Sequence, residues 1–156
     1  MDYFVLSLGA NLGDRLETIS RAKEKLEIAF GTYFCSSMYR SQAVEYLDQP
    51  DFINCAMAFK ITESSPTPEA VLSTILDLED ALGRVRSVRF GPRVIDIDLI
   101  FYSDRVMNTP QLTLPHPRFL QRSFVVRPML ELPIKEWLSA TYSIPDEFET
   151  EALIVD

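Results

Sequence analysis

Apolar residues along this chain recur with two different periods, and their order predicts a fold. Phe4–Leu8 is a short β-prone run that stops at Gly9, Asn11 and Gly13, a turn signal. From Asp14 to Phe30 the spacing of Leu16, Ile19, Ala22, Leu26 and Ala29 is helical, and Gly31 ends it. Thr32–Tyr39 reads as a second strand and Ser41–Asp51 as a polar, proline-containing loop. Phe52–Ile61 alternates, with Ile53, Cys55, Met57, Phe59 and Ile61 on one face and Phe52 and Asn54 on the other. Thr67 and Pro68 are a cap and first-turn proline for a helix that runs to Leu82, with Leu72, Ile75, Glu79 and Leu82 near one face. Gly83 stops it, and Arg84–Arg93 is a loop rich in Gly and Arg. Val94–Tyr102 is a fourth strand, apolar except for two aspartates. The order β-α-β-β-α-β predicts an α+β fold of the ferredoxin-like type, an antiparallel sheet with two helices on one face. Asp104–Thr113 reads as a turn or short hairpin, and Pro115–Leu132 as containing a short helix. Past Pro133 the periodicity is weak and predicts no definite element.

With 156 residues and 47% hydrophobic content, the chain suits a single domain, 1–156, with a real core. No apolar run approaches a membrane span, and the N-terminus lacks the basic region and cleavage site of a secretory signal. Cys35 and Cys55 are too few and too far apart in sequence for a disulfide scaffold or a structural zinc site. The expected location is therefore the cytoplasm. A net charge of −8 argues against nucleic acid or a membrane surface as partner. Residues 131–156 carry −6 of it, an acidic C-terminal segment of uncertain structure. Arginine, however, outnumbers lysine eleven to four and clusters at Arg84, Arg86, Arg89 and Arg93, then at Arg118, Arg122 and Arg127. A guanidinium presents a rigid fork to phosphate oxygens, so this clustering points to a local anion site on an acidic protein. A small acidic domain with no obvious apolar helix at its surface is read as a monomer.

Asp96 and Asp98 carry the strongest chemical signal. Two residues apart on a strand, they project from one face with Cα atoms about 6.5–7 Å apart. Two carboxylates on a largely buried strand repel each other and lose hydration, and a divalent cation relieves both costs. Mg²⁺ suits such a pair because it takes one or two carboxylates, waters and substrate phosphate oxygens. The alternative is structural: one Asp capping a turn, the other paired with an arginine. Gly91-Pro92-Arg93 directly before the acidic strand favours polyphosphate chemistry, where positioning and charge neutralisation dominate. Gly83 and Gly91 bracket the loop as hinges for a lid. His116, the one histidine, is read as a packed loop residue or a phosphate contact beside Arg118 and Arg122. Phe52, Asn54 and Phe124 are either core and strand residues or two aromatics and an amide around a flat heterocycle. Gly9–Gly13 does not match a P-loop, since no lysine follows the glycines.

From Arg84 to Leu99 the chain closely resembles the 6-hydroxymethyl-7,8-dihydropterin pyrophosphokinase family of folate biosynthesis, whose signature stands here as Gly91-Pro92-Arg93-Val94-Ile95-Asp96-Ile97-Asp98-Leu99. The resemblance extends through Leu8–Gly13, Tyr39-Arg40, Asp48–Asn54, Glu79, Gly83–Arg86 and Pro115–Arg118 with Arg122 and Phe124, in matching order over roughly residues 3–132. It implies transfer of a pyrophosphoryl group from ATP, as co-substrate, to the hydroxymethyl group of the pterin, with AMP leaving. It implies two Mg²⁺ ions on Asp96 and Asp98, and a catalytic set of Arg84, Arg93, Asp96 and Asp98. Glu79, Arg86, Arg93, His116 and Arg122 match ATP-contacting positions. Ser41, Gln42, Val44, Phe52, Asn54, Phe90 and Phe124 match the pterin site. Departures are Ala10 where Ser is usual, Ser41-Gln42-Ala43 where Thr-Pro is common, and Phe90 in place of a frequent Trp. Two rivals stay open on the residues alone. One is a palm-type nucleotidyltransferase, which releases pyrophosphate; the other is a nucleotide or pterin sensor that binds without turnover.

Overall fold

Strand β1 (Tyr3–Ala10) is buried along nearly its whole length because it is flanked on both sides. Strand β4 (Phe52–Lys60) pairs with it antiparallel on one side and β5 (Asp96–Tyr102) on the other. In this computed structural model, which describes residues 1–42, 49–83 and 94–155, β2 (Tyr33–Cys35) and β3 (Tyr39–Ser41) both lie along the far side of β4. The order β5-β1-β4-β2/β3, every pairing antiparallel, is the expected ferredoxin-like core. Helices α1 (Arg15–Phe30) and α2 (Pro68–Ala81) supply its two crossovers. Asp14 caps α1 by accepting from Glu17 N–H at 3.1 Å, and Thr67 caps α2 by accepting from Ala70 N–H at 3.2 Å. Both helices pack on the face of the sheet that carries Leu6, Leu8, Cys55, Met57 and Leu99. Both cysteines are free thiols.

Four expectations need correction. The inward face of α1 is Ile19, Ala22 and Leu26, whereas Leu16 is 51% exposed and Ala29 is exposed too. At 100° per residue Leu16 and Ala29 lie about 60–80° round the helix from Ile19, on opposite flanks of the buried stripe. The fourth strand begins at Asp96 rather than Val94.

The second strand, expected as one run over Thr32–Tyr39, is two pieces separated by a bulge. Cys35 faces Met57 whereas Tyr39 faces Asn54, so β2–β3 holds one residue more than β4 over this stretch. Ser36 sits in the break, and its hydroxyl accepts from Ala56 N–H at 2.9 Å in place of a backbone carbonyl. Glu131 braces the same break by accepting from Ser37 N–H and Ser37 Oγ, each at 2.9 Å, and from the Tyr39 hydroxyl. Burial pushes the Glu131 carboxyl up, but these donors outweigh it and hold it below its usual range.

The last correction concerns the second face of the sheet and the C-terminal segment. A second core of Val5, Ala56, Ala58, Ile100 and Phe101 is covered by α3 (Ser123–Met129), α4 (Lys135–Thr141) and a 3₁₀ turn at Phe119–Gln121. Phe101 anchors this layer edge-on to Phe119 at 4.9 Å and to Trp137 at 5.1 Å between ring centroids. A bulge in β5 permits it, since Ile100 and Phe101, consecutive in sequence, both turn to this face. The chain then returns as β8 (Leu153–Ile154), an added edge strand on β3. The acidic segment shows no regular apolar period, but Trp137, Leu138, Tyr142, Ile144 and Phe148 all pack on the second core. Between β5 and α3, the expected hairpin forms as β6 (Met107–Asn108) and β7 (Thr113–Leu114).

Candidate active site

The second face of the sheet changes character along its strands. On β1 it runs Val5, Ser7, Gly9; on β4, Ala58, Ala56, Asn54, Phe52; on β5, Phe101, Ile100, Asp98, Asp96. The apolar end is roofed by α3 and α4. The polar end is left open as a cavity of about 440 Å³. Its floor includes a row across three strands, with Asp96 opposite Gly9 and Gly9 opposite Asn54. Asp98 stands opposite Ser7 in the neighbouring row. Both aspartates are half-buried and border the cavity, as the two-residue spacing predicted.

Asn54 is buried and oriented. Ser41 Oγ donates to its Oδ1 at 2.6 Å, which directs the amide nitrogen over Gly9. An ideal Cβ on Gly9 would sit 2.7 Å from that nitrogen, closer than real Cβ atoms approach, so only glycine leaves room. Phe52 and Phe124 border the same cavity from β4 and α3, and the Arg122 guanidinium lies 5.7 Å from the Phe124 ring centroid. The entry to β4 is tied down from the turn after β1. Asn11 Nδ2 donates to Gln49 Oε1 at 2.7 Å and to Pro50 O at 3.1 Å, and Arg15 donates to Asp51 O at 2.6 Å.

His116 reaches the cavity beside Arg118, Gln121 and Arg122. Its backbone N–H donates to Ile100 O at 3.0 Å, and its Nδ1 accepts from Arg118 N–H at 3.3 Å. In the neutral ring the proton therefore sits on Nε2. Burial, and after it the Arg122 charge, lowers its pKa to about 4, partly opposed by Asp96. The folded pKa lies below the unfolded value, so the unfolded chain takes up the proton first as pH falls. Stability associated with His116 is thus present above about 6.5 and is lost toward about 4. Thermal melts of His116→Gln between pH 7 and 4.5 should show a shallower fall in Tm than the parent; equal slopes would remove this assignment.

The cavity gathers Ser41, Gln42, Phe52, Asn54, Asp96, Asp98, His116, Arg122 and Phe124 from the sequence-derived set. Glu79 is not on its wall. It is buried in α2, where its carboxylate accepts from Ile97 N–H at 2.8 Å, between the two aspartates on the outer edge of β5. Val44, Arg84, Arg86, Phe90 and Arg93 lie outside the described residues. Ser7, Gln121, Ser123, Glu149 and Thr150 border the cavity without having been singled out. Strand alternation from Gly9 would have found Ser7; nothing local marks Glu149 and Thr150, which arrive only because the C-terminal segment returns to the sheet. Among the described residues no three His, Cys, Asp or Glu side chains form a metal-binding group. Two carboxylates beside an open, arginine-bordered cavity instead match an oxygen-ligated Mg²⁺ that completes its shell with water and phosphate.

Residues 5–134 match the sequence profile described as 7,8-dihydro-6-hydroxymethylpterin-pyrophosphokinase (HPPK). The chain is similar to the 2-amino-4-hydroxy-6-hydroxymethyldihydropteridine pyrophosphokinase of Synechocystis sp., 39% identical over 130 residues, 82% of this chain and 65% of that protein. The enzyme of the same name from Aquifex aeolicus is 39% identical over 127 residues, 81% of this chain and 78% of that protein. Folic acid synthesis protein fol1 of Pneumocystis carinii is 39% identical over 128 residues, 81% of this chain but 17% of its own length. Relatives thus range from proteins little longer than this chain to proteins several times its length. A solved structure described as HPPK-DHPS in complex with substrates shares the fold, with a TM-score of 0.59 at 12% identity over 90% of this chain and 41% of that one. The family signature, the sheet order and the profile match converge: this chain belongs to the 7,8-dihydro-6-hydroxymethylpterin-pyrophosphokinase (HPPK) family.

Proposed function

We propose that this chain transfers the β,γ-diphosphate of ATP to the hydroxymethyl group of 6-hydroxymethyl-7,8-dihydropterin, a step of folate biosynthesis. The observation that carries the reading is the single cavity in which the Asp96/Asp98 pair faces Asn54, Phe52 and Phe124, with His116, Arg118 and Arg122 on the same wall. One end suits a flat heterocycle and the other a polyphosphate. Asn54, its oxygen engaged by Ser41, presents amide hydrogens to an acceptor on the heterocycle, and Phe52 and Phe124 offer ring faces. Neutral His116 donates from Nε2–H to a phosphate oxygen, while Arg118 and Arg122 supply positive charge.

The hydroxymethyl oxygen attacks the β-phosphorus, the bond from that phosphorus to the α,β-bridging oxygen breaks, and AMP leaves with that oxygen. The hydroxyl proton goes to solvent, since His116 has its Nδ1 engaged and its Nε2 already protonated. Asp96 and Asp98 would hold two Mg²⁺ ions, which when bound neutralise the diphosphate and polarise its phosphorus. Glu79 acts through β5 by fixing the strand between its two aspartates. Arg84, Arg86, Arg93, Phe90 and Val44 keep the substrate-contacting roles that the resemblance assigns. We place the protein in the cytoplasm as a monomer, on its acidic composition and its two free cysteines.

Nucleotide chromatography after incubation with ATP, Mg²⁺ and the pterin tests the reading. AMP formed only in the presence of pterin is expected. ADP or pyrophosphate as the product, or binding with no turnover, would reject it.

A further inference from the structure

Strand β1 lies between the strands that carry the two ends of the cavity. The sheet order places β5, with Asp96 and Asp98, on one side of it and β4, with Phe52 and Asn54, on the other. A heterocycle held on the β4 side and a polyphosphate held on the β5 side therefore bring their reacting atoms together over β1. There β1 presents Ser7 and Gly9, because Val5, the next residue on the same face, is covered in the second core. Gly9 has no side chain, so the polar side-chain atom that β1 offers at this junction is the Ser7 hydroxyl.

Register fixes its surroundings. Ser7 stands opposite Asp98 on β5 and opposite Ala56 on β4, and the next row of the same face is Asp96, Gly9 and Asn54. Its side chain borders the cavity, yet the residue is only 6% exposed. Among the described residues nothing hydrogen-bonds its hydroxyl. The other buried serines are all engaged. Ser36 Oγ donates to Ser37 O at 2.8 Å, Ser41 Oγ to Asn54 Oδ1 at 2.6 Å and Ser123 Oγ to Thr150 O at 2.6 Å. A buried hydroxyl without a partner costs stability, and at the wall of a cavity it marks where a ligand atom completes the bond. The Asn54 amide nitrogen, assigned above to the ring, is in the same condition among the described residues.

We propose that Ser7 is a catalytic residue whose hydroxyl accepts the hydrogen bond of the pterin hydroxymethyl O–H and so orients the attacking oxygen toward the β-phosphorus. This rests on the pterin reading above. With its hydrogen directed at Ser7 Oγ, the hydroxymethyl oxygen keeps a lone pair for the phosphorus. Ser7 stays neutral throughout: the proton leaves to solvent as the new oxygen–phosphorus bond forms, and the bond to the bridging oxygen breaks as before.

The test is equilibrium binding of 6-hydroxymethylpterin, and of 6-methylpterin, which lacks the hydroxyl, to the full chain saturated with a non-hydrolysable ATP analogue and Mg²⁺. Ser7→Ala should weaken binding of the hydroxymethyl ring about five- to tenfold and leave the methyl ring within about twofold. The single-turnover rate of AMP formation should fall at least about tenfold. The Tm of the ligand-free protein should hold or rise, since alanine removes a hydroxyl that the protein leaves unpaired. Unchanged hydroxymethyl affinity, an unchanged turnover rate, equal losses for both rings or a lower Tm would overturn the assignment. Should Ser7→Ala not fold, Ser7→Cys, similar in size but a weak acceptor, is read by the same binding criterion. A parent protein that takes up the nucleotide but neither ring would instead bring down the pterin reading itself.

Discussion

Asp98→Asn and Asp96→Asn should each lower kcat/KM by at least about 10³-fold while the protein stays folded. Asparagine keeps the shape of the side chain and removes the charge. What is lost is the ability of the β5 pair to hold a divalent cation against a polyphosphate. The sheet itself should tolerate the change: both side chains project from the cavity face, and the core residues Ile97 and Leu99 between and beyond them are untouched. Circular dichroism and melting temperature report the fold, and AMP release reports the chemistry. Isothermal titration of Mg²⁺ in the presence of a non-hydrolysable nucleotide gives a third reading, in which metal uptake should vanish with either substitution. A fully active variant would refute the metal assignment, because no other pair of carboxylates borders the cavity side by side on one strand among the described residues.

Gly9→Ala should raise the KM for the pterin by about 10–100-fold and leave the KM for ATP little changed. A single methyl group does this through Asn54. The new carbon would meet Asn54 Nδ2 at 2.7 Å and Phe52 Cδ1 at 3.5 Å. Asn54 cannot yield cheaply, since it is buried and its oxygen is held by Ser41 Oγ at 2.6 Å. Turning it aside breaks a buried hydrogen bond at a cost of about 1–3 kcal/mol, so a lower Tm should accompany the loss of affinity. The variant separates the two ends of the cavity: His116 and Arg122 come from other elements and keep their places. Wild-type pterin affinity in Gly9→Ala would mean that Asn54 does not read the heterocycle.

The elements themselves were legible where the apolar period was long and well capped. Helices α1 and α2 could be read from their spacing, with Asp14, Thr67 and Gly31 marking their ends. So could the pairing of Asp96 with Asp98 on one face, because a strand alternates side chains whatever surrounds it. The apolar run in β4 predicts one buried face, with Phe52 and Asn54 on the other. In the fold its other face is buried as well, by helices whose own sequences, SFVVRPM and KEWLSAT, are too short for periodicity to identify.

Local sequence therefore determined which residues are paired, capped and alternated, and through these the βαββαβ order and the acidic pair. Tertiary structure decided which face each residue serves. The extra residue at Ser36, between Cys35 and Tyr39, switches β3 to the opposite face from β2 and so delivers Ser41 to Asn54. The bulge at Ile100 and Phe101 roofs one end of the sheet and leaves Asp96 and Asp98 at the other. Glu131, far along the chain, braces the first bulge, and Glu149 comes to the cavity only because β8 returns to β3. Each of these depends on hydrogen bonds between residues distant in sequence, and a period read along a single strand carries no record of what will pair with it.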